Sequence, residues 1–240
     1  MNEELIRACE RHVTRLTLNR PHKANALDSA LIEALLDAVE YAYTDGTRLL
    51  VLEGRDRNFS AGFDFTGYQQ QSEGELVLRF IRIETLLQRL YHAPFATLAL
   101  AHGRNFGAGV DIIGACSLRI AAPDATFRMP GLRFGVVLGT RRLAARVGTD
   151  KARELLAGSR TFGADEALGI NFITGIAEPS QWPTLITQAA ADATALPAAA
   201  ASALARQTLA DTRADDMAAL VHSVTVPGLK ERIRIFRESK

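Results

Sequence analysis

The sequence predicts an α/β fold, and three features carry that prediction. Short apolar runs such as Leu49-Leu50-Val51-Leu52 have the length and composition of buried strands. Longer segments between them place apolar residues three and four apart, the spacing of a helix that packs on one face. Strand and helix alternate through the first half and helical pattern dominates after residue 140, which implies parallel strands joined by helical crossovers.

Residues 13–19 alternate apolar and polar side chains and read as a strand that ends at Arg20-Pro21. Asp28 is an N-cap for a helix reaching Tyr43, with Leu31, Leu35, Ala38 and Ala42 on its inner face. Asp45-Gly46 turns the chain into a buried strand over residues 48–53. A loop rich in Gly, Asp and aromatic residues covers 54–68. A helix follows over 75–91, with Leu76, Phe80, Ile83, Leu87 and Leu90 on one side and Pro94 beyond it. Residues 95–101 form the next apolar strand. The glycine-rich segment 103–109 opens a buried helix over 110–116, and 118–122 is strand-like. One more strand is expected near 172–177. The alanine-rich stretch 189–205 favours helix, with Pro183, Pro197 and Pro227 as breaks.

Composition excludes several function classes. The 28 basic residues almost cancel the 27 acidic ones, so no net field draws the chain to nucleic acid or an anionic membrane. The adjoining Arg141 and Arg142, and the basic end from Lys230 to Lys240, read as solvated helix faces. Cys9 and Cys116 lie far apart, with no metal-type spacing and no disulfide framework. The N-terminal residues lack a signal-peptide core, and no apolar run approaches the roughly 20 residues of a membrane span. A soluble, cytoplasmic protein is the expectation.

Two loops have the character of a site. Asn58-Phe59-Ser60-Ala61-Gly62-Phe63-Asp64 follows a strand, and its small residues let a ligand approach the backbone. The second, His102-Gly103-Arg104-Asn105-Phe106-Gly107-Ala108-Gly109-Val110-Asp111, joins a strand to a helix start. Unpaired N–H groups and the positive end of the helix dipole favour an oxyanion there. One such donor is worth about 3 kcal/mol to a transition state. Asp111 comes nearly one turn after Ala108 and could face the same pocket. The glycine spacing also matches a dinucleotide loop of short-chain dehydrogenases. That motif belongs on the first strand, and none of the four tyrosines has a lysine four residues on. No Gly-x-Ser-x-Gly elbow is present, and no histidine pair has metal spacing. His102 reads as a structural residue at a strand end.

Taken together, the motifs resemble the crotonase (enoyl-CoA hydratase/isomerase) superfamily. Arg20-Pro21-His22-Lys23-Ala24-Asn25-Ala26-Leu27 resembles its Arg-Pro…Asn-Ala-Leu signature, and Phe59-Ser60-Ala61-Gly62-Phe63-Asp64 its Phe-x-Ala-Gly-x-Asp loop. His102 to Ile112 resembles its glycine-rich segment ending in Glu or Asp. The segments from Phe127 to Gly135, from Thr140 to Gly148 and from Ala164 to Gly169 follow in the family's order.

The resemblance implies a spiral of ββα units over residues 1–194, then a C-terminal helical segment over 195–240. It implies a homotrimer or hexamer, whose contacts the apolar face Val224, Val226, Leu229, Ile233 and Phe236 could supply; a monomer burying that face is the alternative. It implies an acyl-CoA substrate, with coenzyme A as part of the thioester and no permanently bound cofactor or metal. The backbone N–H groups of Phe63 and Ala108 would hold the thioester oxygen and stabilise an enolate. His22, Lys23, Ala24 and Ala61 would lie along the CoA nucleotide. Asp111 would be the acid or base; a helix-start Asp that only complements the dipole is the alternative.

Three departures separate this chain from a hydratase of that family. Gly131 in Met129-Pro130-Gly131 stands where hydratases carry a second Glu. The segment 135–140 is about two residues shorter than the family's spacing. Ala108 replaces the usual Gly. Asp64 reads as structural, and Arg133, Arg141 and Arg142 as surface residues. The sequence therefore leaves three readings open: a hydratase or isomerase, a decarboxylase or thioesterase on the same platform, and a non-catalytic acyl-CoA binder.

Overall fold

The computed structural model describes residues 4–239; Met1 to Glu3, and Lys240 of the basic end, lie outside the described residues. The chain begins with an antiparallel pair, β1 (Leu5–Glu10) and β2 (Val13–Leu18). Helix α1 (Ser29–Ala42) leads to β3 (Leu49–Gly54), and α2 (Glu73–Tyr91) to β4 (Ala96–Ala101). Then come β5 (Arg104–Phe106), α3 (Ala108–Ala115), β6 (Leu118–Ala121) and β7 (Thr126–Arg128). Next are α4 (Thr140–Val147), α5 (Thr149–Gly158), β8 (Phe162–Gly163), α6 (Ala164–Gly169) and β9 (Gly175–Ile176). Four helices close the chain: α7 (Trp182–Ala195), α8 (Ala198–Thr208), α9 (Arg213–Thr225) and α10 (Leu229–Glu238).

The main sheet runs β1-β2-β3-β4-β6-β9, parallel from β2 onward. A small sheet, β5-β7-β8, stands beside it. The unbroken apolar runs have a physical reason. In β3, Leu50 and Leu52 face a large core under α1, α2 and α3, while Leu49 and Val51 face a second core closed by Trp182 and Ala189 of α7. A parallel strand covered on both faces needs apolar residues at every position.

The expected cap is present. Asp28 accepts from the N–H of Leu31 at 2.8 Å. Ser72 and Glu75 form a reciprocal capping box that starts α2 two residues earlier than its apolar pattern suggests. The strand expected at 172–177 shrinks to Gly175–Ile176, because Phe172 and Ile173 turn into the core instead of extending the ladder.

Two expectations are corrected. Arg142 is not a surface residue: its side chain is buried and paired with Glu84 of α2 and Asp216 of α9. The face proposed for subunit contacts is turned inward for four of its five residues. Val224, Leu229, Ile233 and Phe236 pack in this chain's own core, and only Val226 is exposed. Helix α8, in contrast, buries none of its residues.

Candidate active site

Three segments build the site. The first is the turn around residues 20–27, whose polar groups clamp the loop that follows β3. Asn25 donates its amide to the carbonyls of Arg55 and Asn58. Ser60 donates its hydroxyl to the Asn25 carbonyl at 2.8 Å, and the Ala61 N–H donates to the Ala24 carbonyl at 2.9 Å. The N–H of Leu27 reaches the Gly62 carbonyl, and that of Asp64 returns to the Leu27 carbonyl. Ala24 and Asn25 pay for this with left-handed backbones, φ +50° and +55°. Arg20, buried beneath, ties the two strings together through Asp28 at 2.9 Å and Asp64 at 3.1 Å.

Asp64 is thus structural, as expected. Burial alone would raise its pKa, but hydrogen bonds from Thr66 and the Arg20 partner outweigh it and hold the carboxyl below its ordinary value.

The second segment is the passage from β5 into α3. The Phe106 N–H donates to the Ser60 carbonyl at 3.1 Å, which docks this segment on the first loop. Gly62, at φ +76°, lies so close that a Cβ there would stand 2.3 Å from the Phe106 carbonyl oxygen and 3.2 Å from the Ala108 nitrogen. Only glycine permits that approach. The result places the backbones of Phe63 and Ala108 beside one another. Neither N–H finds an acceptor among the described residues; Ala108 is the first residue of α3, where no intrahelical partner exists. Phe63 is held in place by its ring, stacked on Phe80 at 4.5 Å with the Arg79 guanidinium 4.0 Å over it.

The third segment is the turn from residue 131 to α4. A Cβ on Gly139 would stand 1.8 Å from Oδ1 of Asp111, and Asp111 and Thr140 line the same pocket. Asp111 is 7% exposed, and its Oδ1 is buried with no hydrogen-bond partner. Burial raises its pKa well above the ordinary aspartate value; the nearby Arg142 lowers it only in part, and Glu84 raises it further. Arg142 itself keeps its charge firmly: burial works against the cation, but hydrogen bonds and charge from Glu84 outweigh it, with help from Asp216.

These segments enclose a pocket of ≈ 460 Å³. Phe63, Ala108, Asp111, Lys23 and Ala61 all line it. Lys23 stands at the exposed rim, its Nζ 3.3 Å from the Thr66 hydroxyl. His22 and Ala24 do not line it; they sit on the adjoining turn, His22 exposed. None of Arg133, Arg141 and Arg142 reaches it. His102 lies elsewhere, its Nε2 2.9 Å from the Asp56 carbonyl. Sequence reasoning missed the aromatic wall of Phe65, Phe80, Phe134 and Phe236, and it missed Thr140. Helical spacing marked Phe80 and Phe236 as inward-facing, but nothing marked them as facing one cavity.

Gly131 and the turn at 135–140, both singled out in the sequence, lie against one another. A Cβ on Gly131 would stand 3.0 Å from the carbonyl oxygen of Val136. A side chain at 131 would press on the backbone of this turn, which would have to give by a few tenths of an ångström.

A model of the family described as Enoyl-CoA hydratase/isomerase matches residues 8–226. A Bacillus subtilis protein named as a probable enoyl-CoA hydratase is 34% identical over 174 residues, covering 70% of this chain and 66% of that protein, just under two thirds of its length. A mouse ethylmalonyl-CoA decarboxylase is 29% identical over 180 residues, covering 72% of this chain and 56% of that one. A crystal structure from Bordetella parapertussis, solved under the family name enoyl-CoA hydratase/isomerase, superposes with TM-score 0.96 at 52% identity over 97% of this chain and 98% of that one. The spiral expected from the motifs is the fold observed, and the chain belongs to the enoyl-CoA hydratase/isomerase family.

Proposed function

We propose that this protein binds an acyl-CoA thioester and stabilises its enolate. What supports this is that Phe63 and Ala108, whose N–H groups have no acceptor among the described residues, line one pocket with the buried Asp111. The thioester oxygen accepts from both donors. When Asp111 removes a proton from the α-carbon, the electron pair moves onto that oxygen, where the donors hold it. Starting from a 3-enoyl ester, returning the proton at the γ-carbon shifts the double bond and gives an isomerase. Adding water at the β-carbon of an enoyl ester, with protonation at the α-carbon, gives a hydratase. The aromatic wall takes the acyl chain, and Lys23 and Ala61, with His22 and Ala24 beside them, take the nucleotide. Coenzyme A enters as part of the substrate, and no resident cofactor is required.

The test is loss of enoyl-thioester absorbance with crotonyl-CoA and longer homologues, wild type beside Asp111→Ala. Turnover that disappears in the variant supports the reading. Full turnover in the variant removes Asp111 from it.

The Gly131–Val136 contact favours a second reading, decarboxylation. Loss of CO2 from a malonyl-type ester leaves the electron pair on the thioester oxygen, and a single acid then protonates the α-carbon. Activity on malonyl-type esters, with none on enoyl esters, selects it. Tight binding of CoA esters without turnover selects a non-catalytic binder.

The same reading makes the protein a cytoplasmic homotrimer or hexamer. Both cysteines are unpaired. The uncovered α8 leaves Leu196 and Leu204 exposed beside a groove of ≈ 390 Å³. Sedimentation at micromolar concentration tests the assembly; a monomer contradicts it.

A further inference from the structure

Arg79 of α2 is buried, yet it makes no ion pair among the described residues. Burial pulls its pKa below the ordinary arginine value, and Asp64 and Asp28 offset this only from a distance, because both carboxylates bond to Arg20 instead. Arginine keeps its charge even so, and a buried charge without a counterion is costly. The guanidinium is directed at neutral groups. Its Nη2 donates to the Asp64 carbonyl at 2.7 Å, its Nη1 donates to Oε1 of Gln71 at 3.1 Å, and its centre lies 4.0 Å over the Phe63 ring. Gln71 is itself anchored, since Nζ of Lys230 in α10 donates to the carbonyls of Gln69 and Gln71 at 2.7 and 2.9 Å. Two of the three Arg79 contacts thus fall on residues 63 and 64.

That placement matters for one peptide plane. The Phe63 N–H shares its peptide with the Gly62 carbonyl, which accepts from the Leu27 N–H at 2.7 Å. This bond fixes the carbonyl edge. Glycine at 62 adds little stiffness of its own, so the aim of the N–H edge depends on what holds residues 63 and 64. The Asp64 N–H returns to the Leu27 carbonyl at 3.1 Å, and Arg79 grips the ring and the carbonyl on either side of that bond. Arg79 does not line the pocket, so it acts on a ligand only through Phe63.

We propose that Arg79 is a positioning residue for the reaction: by holding the Phe63 ring and the Asp64 carbonyl, it aims the Phe63 N–H at the thioester oxygen. The inference rests on the acyl-CoA reading above. A hydrogen bond weakens steeply as it bends away from a straight line. A misaimed donor loses most when the oxygen carries the enolate charge, and less when it is a neutral carbonyl. Removing Arg79 therefore slows the chemical step more than it weakens ester binding.

The experiment compares wild type, Arg79→Met and Arg79→Lys, each saturated with butyryl-CoA labelled at its thioester carbonyl. Isotope-edited infrared spectra read how strongly the donors polarise that carbonyl; α-proton exchange in D2O and calorimetric binding are measured on the same proteins. In wild type the bound carbonyl stretch should fall below that of the free ester. Arg79→Met still packs a thioether on the Phe63 ring but loses the bond to Asp64. It should return the stretch about halfway to the free value and slow exchange about ten- to a hundredfold, less than the loss of a whole donor. Its affinity for the ester should stay within about threefold of wild type. Arg79→Lys keeps a cation and a donor without the planar fork, so it should lie between the two, and it decides the question alone if Arg79→Met does not fold. A wild-type carbonyl stretch in the folded Arg79 variants, whatever their exchange rates, overturns the positioning role and leaves the acyl-CoA reading intact. Wild type that binds no ester, or binds it without lowering the stretch, overturns both.

Discussion

Gly139 and Asp111 are packed so closely that a methyl group on Gly139 would stand 1.8 Å from Oδ1 of the carboxylate. Gly139 also has φ +64°, a conformation that costs an ordinary residue roughly 1–2 kcal/mol. Gly139→Ala should therefore both lower stability, by about 2 kcal/mol or more, and turn Asp111 out of its place. Thermal melting and turnover measured together check this. A variant with wild-type melting and wild-type turnover would show that the contact is not rigid.

The burial of Asp111 makes a prediction about pH. In the unfolded chain it loses its proton near the ordinary value of 3.8; in the folded chain it does so well above that. The folded state thus retains a proton that the unfolded state releases. Stability from this group is complete below 3.8 and declines as pH rises towards the folded value. Asp111→Asn removes the ionisation, so it should melt above wild type at neutral and alkaline pH, with the gap closing in acid. Melting curves of both proteins across pH 4–9 would read this, and a gap that widens in acid would contradict it.

The buried pair of Arg142 and Glu84 should be expensive to break. Their side chains are 4% and 1% exposed; removing Arg142 leaves Glu84 buried without its cation, and removing Glu84 leaves Arg142 with Asp216 alone. Arg142→Met or Glu84→Gln should each cost about 3–5 kcal/mol in denaturant unfolding. The two are not equivalent at the site. Arg142 lowers the Asp111 pKa and Glu84 raises it, so Arg142→Met should shift the acid limb of the pH–rate profile upward and Glu84→Gln downward.

Much of this site was legible in the chain, and the gaps have physical causes. Phe63, Ala108 and Asp111 were singled out by the family resemblance of their two loops, and the structure brings all three to one pocket. Asp28 was found because a cap depends on residues three apart. Arg142 was misplaced because its partner Glu84 lies 58 residues away, and no local pattern reports such a pair. Strands β5 and β8 were missed because two or three residues cannot display a period. Thr140 carried no signal as a pocket residue either: its buried, unpartnered hydroxyl appears only in the packed structure.

Gly131→Glu is the obvious attempt to restore a second carboxylate. The Val136 carbonyl, 3.0 Å from where its Cβ would be, must give way first. The substitution should cost about 1–3 kcal/mol, the usual range for overpacking, and should not raise hydration rate. Comparing melting and crotonyl-CoA turnover with wild type tests this. A stable variant with faster hydration would show that the turn at 135–140 adapts freely.

The central claim is that Phe63, Ala108 and Asp111 together generate a thioester enolate. Exchange of the α-protons of butyryl-CoA with D2O, followed by NMR, tests it most directly, because exchange needs the two backbone donors and one base and nothing else. The account predicts exchange catalysed by wild type and abolished in Asp111→Ala, with butyryl-CoA binding preserved in both. Bound ester that does not exchange in wild type, or exchange that is equally fast without the carboxylate, would contradict it.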